Sequence, residues 1–201
     1  VVITDNTLKT SGAKGATPGE DGSTDGIAIT LQENVSDTDF TASGVYDFTI
    51  TGNTIESDTD NLAGTNEKPE KAEGIKFTIA EKLENGSIDL TAVIDSNTIT
   101  TRSGDGIEFA VLEAAINEAN FISDITVSNN TINQTNDANQ AGVADTGNVK
   151  DLIRFTFAED ADDTTYAKGV ININNNTVST ASGNGDQGDA VQITNEQGSS
   201  P

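Results

Sequence analysis

The residues best suited to chemistry stand in a short unit that occurs five times along the chain. Its copies read DGIAI at 25–29, EGIKF at 73–77, DGIEF at 105–109, DLIRF at 151–155 and DAVQI at 189–193. The two apolar residues at the end of each copy are two positions apart, so the residue between them faces the opposite side of a strand. If the copies lie side by side, these intervening residues form one file: Ala28, Lys76, Glu108, Arg154 and Gln192.

The succession of Lys76, Glu108 and Arg154 in this file allows two interpretations. Lys76 or Arg154 could act as a base beside Glu108, as in an active site. The same order is expected of a ladder in which opposite charges on neighbouring strands contribute roughly 0.2–1 kcal/mol per pair. Glycoside hydrolysis requires two carboxylates at a defined separation, and the file contains one. We therefore expect a charge ladder and no catalytic residue.

A second file consists of the acidic residues that open each copy. Like charges about 5 Å apart repel by somewhat under 1 kcal/mol per pair in water, so these side chains either extend into solvent or share cations. Gly-rich segments at 19–26 and 183–189 add oxygen ligands of the kind that Ca²⁺ prefers, although neither matches the EF-hand pattern. Solvated surface charge is the simpler expectation. The acidic file is Asp25, Glu73, Asp105, Asp151 and Asp189, and the candidate Ca²⁺ ligands are Asp21, Asp25, Asp186 and Asp189.

Composition excludes several classes of site. The 201 residues include no His and no Cys, which removes imidazole bases, thiolate nucleophiles and disulfides. The 33 acidic and 10 basic residues give a net charge of −23. Nucleic acid is therefore not an expected partner, because phosphate contacts need clustered Lys and Arg. No apolar run approaches the roughly 20 residues that a membrane-spanning helix requires.

Another unit, built around Asn-Thr-aliphatic, alternates with the first. It reads VVITDNTLKT at 1–10, FTITGNTIES at 48–57, VIDSNTITT at 93–101, ITVSNNTINQ at 125–134 and ININNNTVST at 171–180. The residues five and three positions before the Asn share one face of a strand, and the Asn shares a face with the aliphatic residue two positions later. The Asn and the apolar residue three positions before it are an odd number of positions apart, which breaks the alternation of faces. A bend must lie there, and Asn tolerates the left-handed backbone angles that a tight bend requires.

Short strand units that recur every 33–47 residues predict a solenoid, because no single unit can bury its own apolar face. With its repeated Asn at a bend, the chain resembles the right-handed parallel β-helix family, the pectate-lyase-like superfold, of the kind found in bacterial surface and adhesin proteins. The resemblance implies an all-β fold of about five coils with variable loops. It also implies an inward ladder of stacked Asn side chains at a tight turn, formed by Asn6, Asn53, Asn97, Asn130 and Asn176.

The domain organisation follows from the repeats. We expect residues 1–195 to form a single β-helix domain and residues 196–201 a polar tail. Because the first residues already belong to an Asn unit, the chain is expected to be part of a longer repeat protein. The segment FAVLEAAINEANF at 109–121 has the composition of a short helix within a connection. An outward Thr follows each Asn, but the mixed residues of the neighbouring outward file disfavour an ice-binding surface.

For function, the sequence favours a non-catalytic structural or adhesive segment of an extracellular, secreted or cell-surface protein. Such a segment would be a stiff spacer whose variable loops at 9–25, 56–73 and 133–150 contact partners. Expected partners are the remainder of a longer parent chain, a glycan or surface protein, and further copies through end-to-end association. One alternative is a polysaccharide-active lyase or hydrolase, although galacturonate hydrolases of this fold rely on clustered Asp and a His. Another is a self-assembling filament subunit.

Overall fold

The computed structural model describes residues 1–11, 25–32, 43–58, 73–80, 83–84, 87–101, 104–111, 116–117, 120–135, 151–159, 166–180 and 189–197. All regular secondary structure within these ranges is β-strand. In chain order the strands are β1 (Val2–Thr4), β2 (Thr7–Ser11), β3 (Ile27–Gln32), β4 (Ser43–Thr51), β5 (Thr54–Asp58), β6 (Ile75–Ala80), β7 (Leu83–Glu84), β8 (Ser87–Asp95), β9 (Thr98–Thr101), β10 (Ile107–Val111), β11 (Ile116–Asn117), β12 (Asn120–Ser128), β13 (Thr131–Gln134), β14 (Ile153–Glu159), β15 (Tyr166–Asn174), β16 (Thr177–Thr180) and β17 (Val191–Gln197).

These strands form three parallel sheets of five strands each. The first sheet has the order β1-β4-β8-β12-β15, the second β2-β5-β9-β13-β16 and the third β3-β6-β10-β14-β17. The short strands β7 and β11 pair with each other, also in parallel. The chain passes through the first, second and third sheets in turn and then returns to the first, one strand further along. This path confirms the predicted parallel β-helix of five coils.

Equivalent residues of successive coils pair without offset. Ile107 pairs with Ile75 on one side and Ile153 on the other in the third sheet, and Ile99 pairs with Ile132 in the second. Neighbouring strands lie about 4.8 Å apart. Each sequence position therefore forms a file that runs along the solenoid axis.

The apolar files fill the interior of the solenoid. Phe77, Phe109 and Phe155 stack with ring-centroid distances of 5.1 and 5.2 Å, and Phe48 meets Phe77 edge-on at 5.2 Å. Aromatic pairs of this kind contribute about 0.5–1.5 kcal/mol each beyond the area that they bury. The Ile residues of the second, third and fourth coils that line the same interior are almost fully buried. The core is thus a set of continuous columns shared by all coils.

The bend between the first and second sheets depends on one left-handed residue that directly precedes each ladder Asn. These residues have φ angles between 53° and 68° and are Asp5, Gly52, Ser96, Asn129 and Asn175. We predicted a bend here, which is correct, but we assigned the left-handed angles to the ladder Asn, which is wrong. The preceding residue absorbs the turn because the Asn itself must direct its side chain into the interior.

The short helix expected within 109–121 is wrong for the residues that the structure describes there. They belong to β10, β11 and the start of β12. In β11, Ile116 pairs in parallel with Leu83 of the preceding coil, so pairing between coils overrides the local helix propensity. Among the described residues, no helix has the length and apolar character needed to cross a membrane.

Candidate functional site

Strands β6, β10 and β14 bring Lys76, Glu108 and Arg154 together on the outer face of the third sheet. Glu108 pairs directly with Lys76 on one side and with Arg154 on the other. The uncharged Ala28 and Gln192 occupy the two ends of this file. The opposite charges therefore lie on adjacent coils, in the middle of the solenoid.

The Glu108 carboxylate bridges the two cations. Lys76 Nζ lies 3.2 Å from Glu108 Oε2, and the Arg154 guanidinium donates a hydrogen bond to Oε1. Arg154 Nε also lies 3.0 Å from Asp105 Oδ2, and Lys76 Nζ lies 3.5 Å from Glu73 Oε2. The result is one connected network, called here the charged cluster, of Glu73, Lys76, Asp105, Glu108 and Arg154.

The carboxylates of the charged cluster are buried, whereas the sequence suggested solvated surface charge. Glu73 is 6% exposed, Asp105 0% and Glu108 5%. Strand alternation turns Glu108 and Ala110 away from the core, yet both are buried, so the outer face of the third sheet is covered at this coil. Burial raises both the cost of desolvating the charges and the attraction between them.

Sequence reasoning treated the acidic file and the charge ladder as separate features, but the structure joins them. Glu73 and Asp105 stand three residues before Lys76 and Glu108, at the edge of the same sheet. Arg154 then reaches diagonally from its own coil to Asp105 of the preceding coil. The sequence does hold a signal for this contact. The acidic residue stands three positions before the charged residue in the three middle copies, and both files keep the same register between coils.

Burial and hydrogen bonding divide the carboxyl groups into two kinds. Desolvation, followed by a hydrogen bond with Asp25, raises the pKa of Glu73 to about 8, although the charge of Lys76 opposes the shift. Desolvation acts on Glu108 in the same direction, but the hydrogen bond and charge of Arg154, together with Lys76, outweigh it and lower its pKa. At neutral pH Glu73 is therefore protonated in the folded chain, while Glu108 is ionised.

A pair of buried polar side chains holds the short connection that leads into the cluster. Thr101 Oγ1 and Gln134 Nε2 each donate a hydrogen bond of 3.0 Å to the carbonyl oxygen of Gly104. Gly104 directly precedes Asp105, and Gln134 belongs to the next coil. Side chains from two coils thus hold the backbone that positions the Asp105 carboxylate.

The cluster also has the carboxylate geometry of a metal site. One oxygen from each of Glu73, Asp105 and Glu108 lies within 4.8 Å of the others. The Lys76 and Arg154 side chains, however, already contact these carboxylates with positive charge. When Glu73 carries a proton, two carboxylates face two cations. The cluster is then neutral without a metal ion.

The candidate Ca²⁺ ligands are not members of the charged cluster, although Asp25 contacts its Glu73, and the assignment stays a prediction. Asp21 and Asp186 lie outside the described residues, whereas Asp25 and Asp189 occupy the first and fifth coils of the acidic file. Asp25 Oδ1 accepts a 3.0 Å hydrogen bond from the backbone N–H of Glu73. In the same way, Asp151 Oδ1 accepts one of 2.8 Å from the N–H of Asp189. In this file, carboxylates also bond the backbone of the following coil.

The five ladder asparagines form a chain of amide–amide hydrogen bonds. In each of the first four coils, the side-chain Nδ2 of the Asn donates to the Oδ1 of the next coil's Asn at 2.9–3.1 Å. The same Oδ1 accepts the backbone N–H of the preceding coil's Asn at 2.9–3.0 Å. The three central side chains, Asn53, Asn97 and Asn130, are each 1% exposed.

Three further hydrogen bonds complete this corner at every step between coils. The Nδ2 of the Asn in the later coil donates to a carbonyl of the earlier coil at 2.8–3.0 Å, and this carbonyl belongs to the residue three positions before that coil's own Asn. The backbone N–H of the left-handed residue in the earlier coil donates to the carbonyl of the residue two positions before the Asn of the later coil. The backbone N–H of the Thr that follows the Asn in the later coil donates to the carbonyl of the Asn in the earlier coil. The same set of five hydrogen bonds, called here the corner set, recurs at all four junctions.

Taken together, the fold and this corner define the chain as an Asn-ladder parallel β-helix. Comparison of the sequence with protein-family models and with curated proteins, and of the structure with solved structures, gives no match.

Proposed function

We propose that this chain is a non-catalytic, rod-like segment of an extracellular or cell-surface protein. It acts as a stiff spacer that displays variable loops to partners. The observation that carries the proposal is the repetition of the corner set at all four junctions between coils. This corner runs unbroken from the first coil to the fifth, as a stiff rod requires.

The physical consequence of the corner set is resistance to bending. Three parallel sheets connect each coil to the next, and the corner adds buried amide bonds along one edge of the solenoid. A buried hydrogen-bonding group that loses its partner costs about 1–3 kcal/mol. Opening one junction at the corner would leave several such groups without partners at once, so the coils are expected to move as one body.

Composition supports an extracellular setting. The chain carries 33 acidic and 10 basic residues and has no Cys. High net charge keeps an exposed repeat protein soluble, and the absence of thiols leaves nothing to oxidise outside the cell. In this role the loops at 9–25, 56–73 and 133–150 would contact a glycan or surface protein, and the coils would set their spacing.

Stiffness can be measured because the chain has no native Cys. Spin labels at Thr7→Cys and Thr177→Cys would lie on the outward Thr file of the first and fifth coils, about 19 Å apart by four strand spacings. A pulsed electron–electron distance measurement should give a single narrow distribution. A broad or multiple distribution in native buffer, with normal circular dichroism, would overturn the spacer proposal. The same pair in denaturant provides the reference for a flexible chain.

One observation favours a second candidate, a polysaccharide-active enzyme. Protonated Glu73 and ionised Glu108 have oxygens within 4.8 Å, close to the roughly 5–5.5 Å separation of the carboxyl groups in retaining glycosidases. Against this stands their burial and the engagement of Glu108 by Lys76 and Arg154, which leave a sugar no access to either group.

An activity assay separates the two candidates. Release of reducing or unsaturated sugars from acidic and neutral glycans would be followed with and without Ca²⁺. Sustained turnover that disappears in Glu108→Gln and persists in the exposed-site control Lys9→Ala would establish the enzyme. Absence of turnover across the panel supports the spacer.

A further inference from the structure

The corner set gives the solenoid two chemically different ends. At each junction the earlier Asn supplies its backbone N–H and Nδ2, and the later Asn supplies the Oδ1 that accepts both. Among the described residues, Asn6 of the first coil is the first donor of this series, and Asn176 of the fifth coil is its last acceptor. The fifth coil therefore ends on the donor groups of Asn176, and the first coil on the Oδ1 of Asn6. Within the described part of the chain, no Asn follows Asn176 in the ladder and none precedes Asn6.

The other hydrogen bonds of the corner set have the same polarity. The carbonyls of Ile3, Ile50, Ile94 and Val127 each accept the Nδ2 of the next coil's Asn, and Ile173 is the equivalent residue of the fifth coil. The N–H groups of Thr54, Thr98, Thr131 and Thr177 each donate to the preceding coil's Asn, and Thr7 is the equivalent residue of the first coil. The fifth coil thus offers the complement of what the first coil offers.

The apolar files also match across the two ends. The third-sheet file begins with Ile27 and Ile29 in the first coil and ends with Val191 and Ile193 in the fifth. Val191 and Ile193 are 41% and 57% exposed, although their equivalents in the middle coils are buried. The edge strands β15, β16 and β17 each pair on one side only among the described residues, as do β1, β2 and β3.

From this complementarity we propose that the fifth coil of one copy stacks on the first coil of a second copy, head to tail. Asn176 of one copy would donate to Asn6 Oδ1 of the next, Thr7 of the next copy would donate back to the Asn176 carbonyl, and Ile193 would be covered by Ile29. Two-fold pairing of like ends would place the Asn176 amide against a second Asn176 amide, so it would not reproduce the corner set. The contact is heterologous and open, so it extends into a line of copies.

The occupant is a second copy because both the hydrogen-bonding groups and the apolar files match those of the junctions already present within the chain. The inference depends on the fold and not on the spacer role. Since each copy carries a charge of −23, repulsion between copies opposes association. Added salt, which screens that repulsion, should promote it.

Two variants block the two ends separately. Ile193→Lys leaves the Lys in solvent in a monomer but would bury its charge in the stacked contact. Val170→Lys is the matched control, because Val170 is also 57% exposed in the fifth coil but faces outward. Thr7→Pro removes the N–H at the first residue of β2, where Pro is tolerated in a strand, and Thr7→Ala is its control.

Sedimentation velocity over a range of protein and salt concentrations tests the proposal. The wild type and both controls should form concentration-dependent oligomers that grow with salt, whereas each end-blocked variant alone should remain monomeric. An equimolar mixture of the two blocked variants should form a one-to-one dimer and nothing larger, because one open end of each kind remains.

Three results would overturn the proposal: a wild type that stays monomeric at every concentration, a blocked variant that still dimerises alone, or a mixture that does not dimerise. Circular dichroism establishes that each variant is folded. If Ile193→Lys is not, Val191→Lys at the same end replaces it.

Discussion

Asn97 donates its side-chain amide to the side-chain oxygen of Asn130 at 3.0 Å, and both side chains are 1% exposed. Asn97 Nδ2 also donates to the carbonyl of Ile50, and its Oδ1 accepts two hydrogen bonds from Asn53. A primary amide has two donor hydrogens and two acceptor positions. All four are used here, which explains how so polar a group can line the interior.

Replacing this amide should be costly in the middle of the ladder and mild at its end. Asn97→Ala removes four buried hydrogen bonds to two neighbouring coils, two to Asn53, one to Ile50 and one to Asn130. We therefore expect a loss of about 3 kcal/mol in the free energy of unfolding. Asn6→Ala should lose less than about 1 kcal/mol, because that side chain is exposed. The outward Asn172→Ala serves as a control with no expected effect. Urea unfolding monitored by circular dichroism measures all three, and equal losses at Asn97 and Asn6 would contradict the ladder.

Gly106 is required because two neighbours closely approach its Cα. A Cβ there would lie 2.3 Å from Ile132 Cγ2 and 2.6 Å from the carbonyl oxygen of Leu152. The carbonyl is backbone and cannot rotate away, so Gly106→Ala should cost about 2–3 kcal/mol. In Gly44→Ala the new methyl would meet mainly the Tyr46 ring, which can turn, and the cost should stay below about 1 kcal/mol. Similar unfolding midpoints for the two variants would refute this explanation.

Arg154 is expected to be a stabilising member of the charged cluster because its loss removes the cation that contacts both Asp105 and Glu108, and two buried carboxylates then face the single charge of Lys76. For Arg154→Met we expect a loss of about 3–5 kcal/mol at neutral pH. The control is Lys9→Met, which removes an exposed ion pair with Glu56 of 2.7 Å and should change stability by about 0–1 kcal/mol. Chemical unfolding measures the free energy of unfolding of both variants. A small loss for Arg154→Met would indicate that solvent reaches the cluster.

Glu73 should make the protein less stable as the pH rises. Its pKa is raised from 4.5 to about 8 on folding, so between these values the folded chain binds more protons than the unfolded chain. The contribution of Glu73 to stability is fully present below about pH 4.5 and is lost as the pH rises through about 8. Glu73→Gln keeps a donor toward Asp25 but does not ionise.

Unfolding midpoints across this pH window test the expectation. As the pH rises from 5 to 8, the stability of Glu73→Gln relative to wild type should increase. A difference that stays constant would show that Glu73 is ionised throughout. The lowered pKa of Glu108 acts in the opposite sense, because its contribution is lost as the pH falls, and it is common to both proteins.

Local spacing was sufficient to predict much of this architecture. The alternation of Ile107, Glu108 and Phe109 identifies a strand and its two faces, and repetition of that pattern gives the pairing of Glu108 with Lys76 and Arg154. The number of coils follows from the number of copies. The bend was also predictable from the broken alternation before each Asn, but the residue that adopts it was not. Either residue tolerates left-handed angles, and only the direction of the Asn side chain decides between them.

What the sequence by itself determined is therefore the register: which residues share a file, and which files face inward. What only the tertiary structure decided is the environment of each file. Burial of Glu108, the diagonal contact of Arg154 with Asp105 and the proton held by Glu73 all depend on which groups approach from other coils and on how much water remains. Period and spacing are properties of neighbouring residues, whereas solvation is a property of everything that surrounds a side chain.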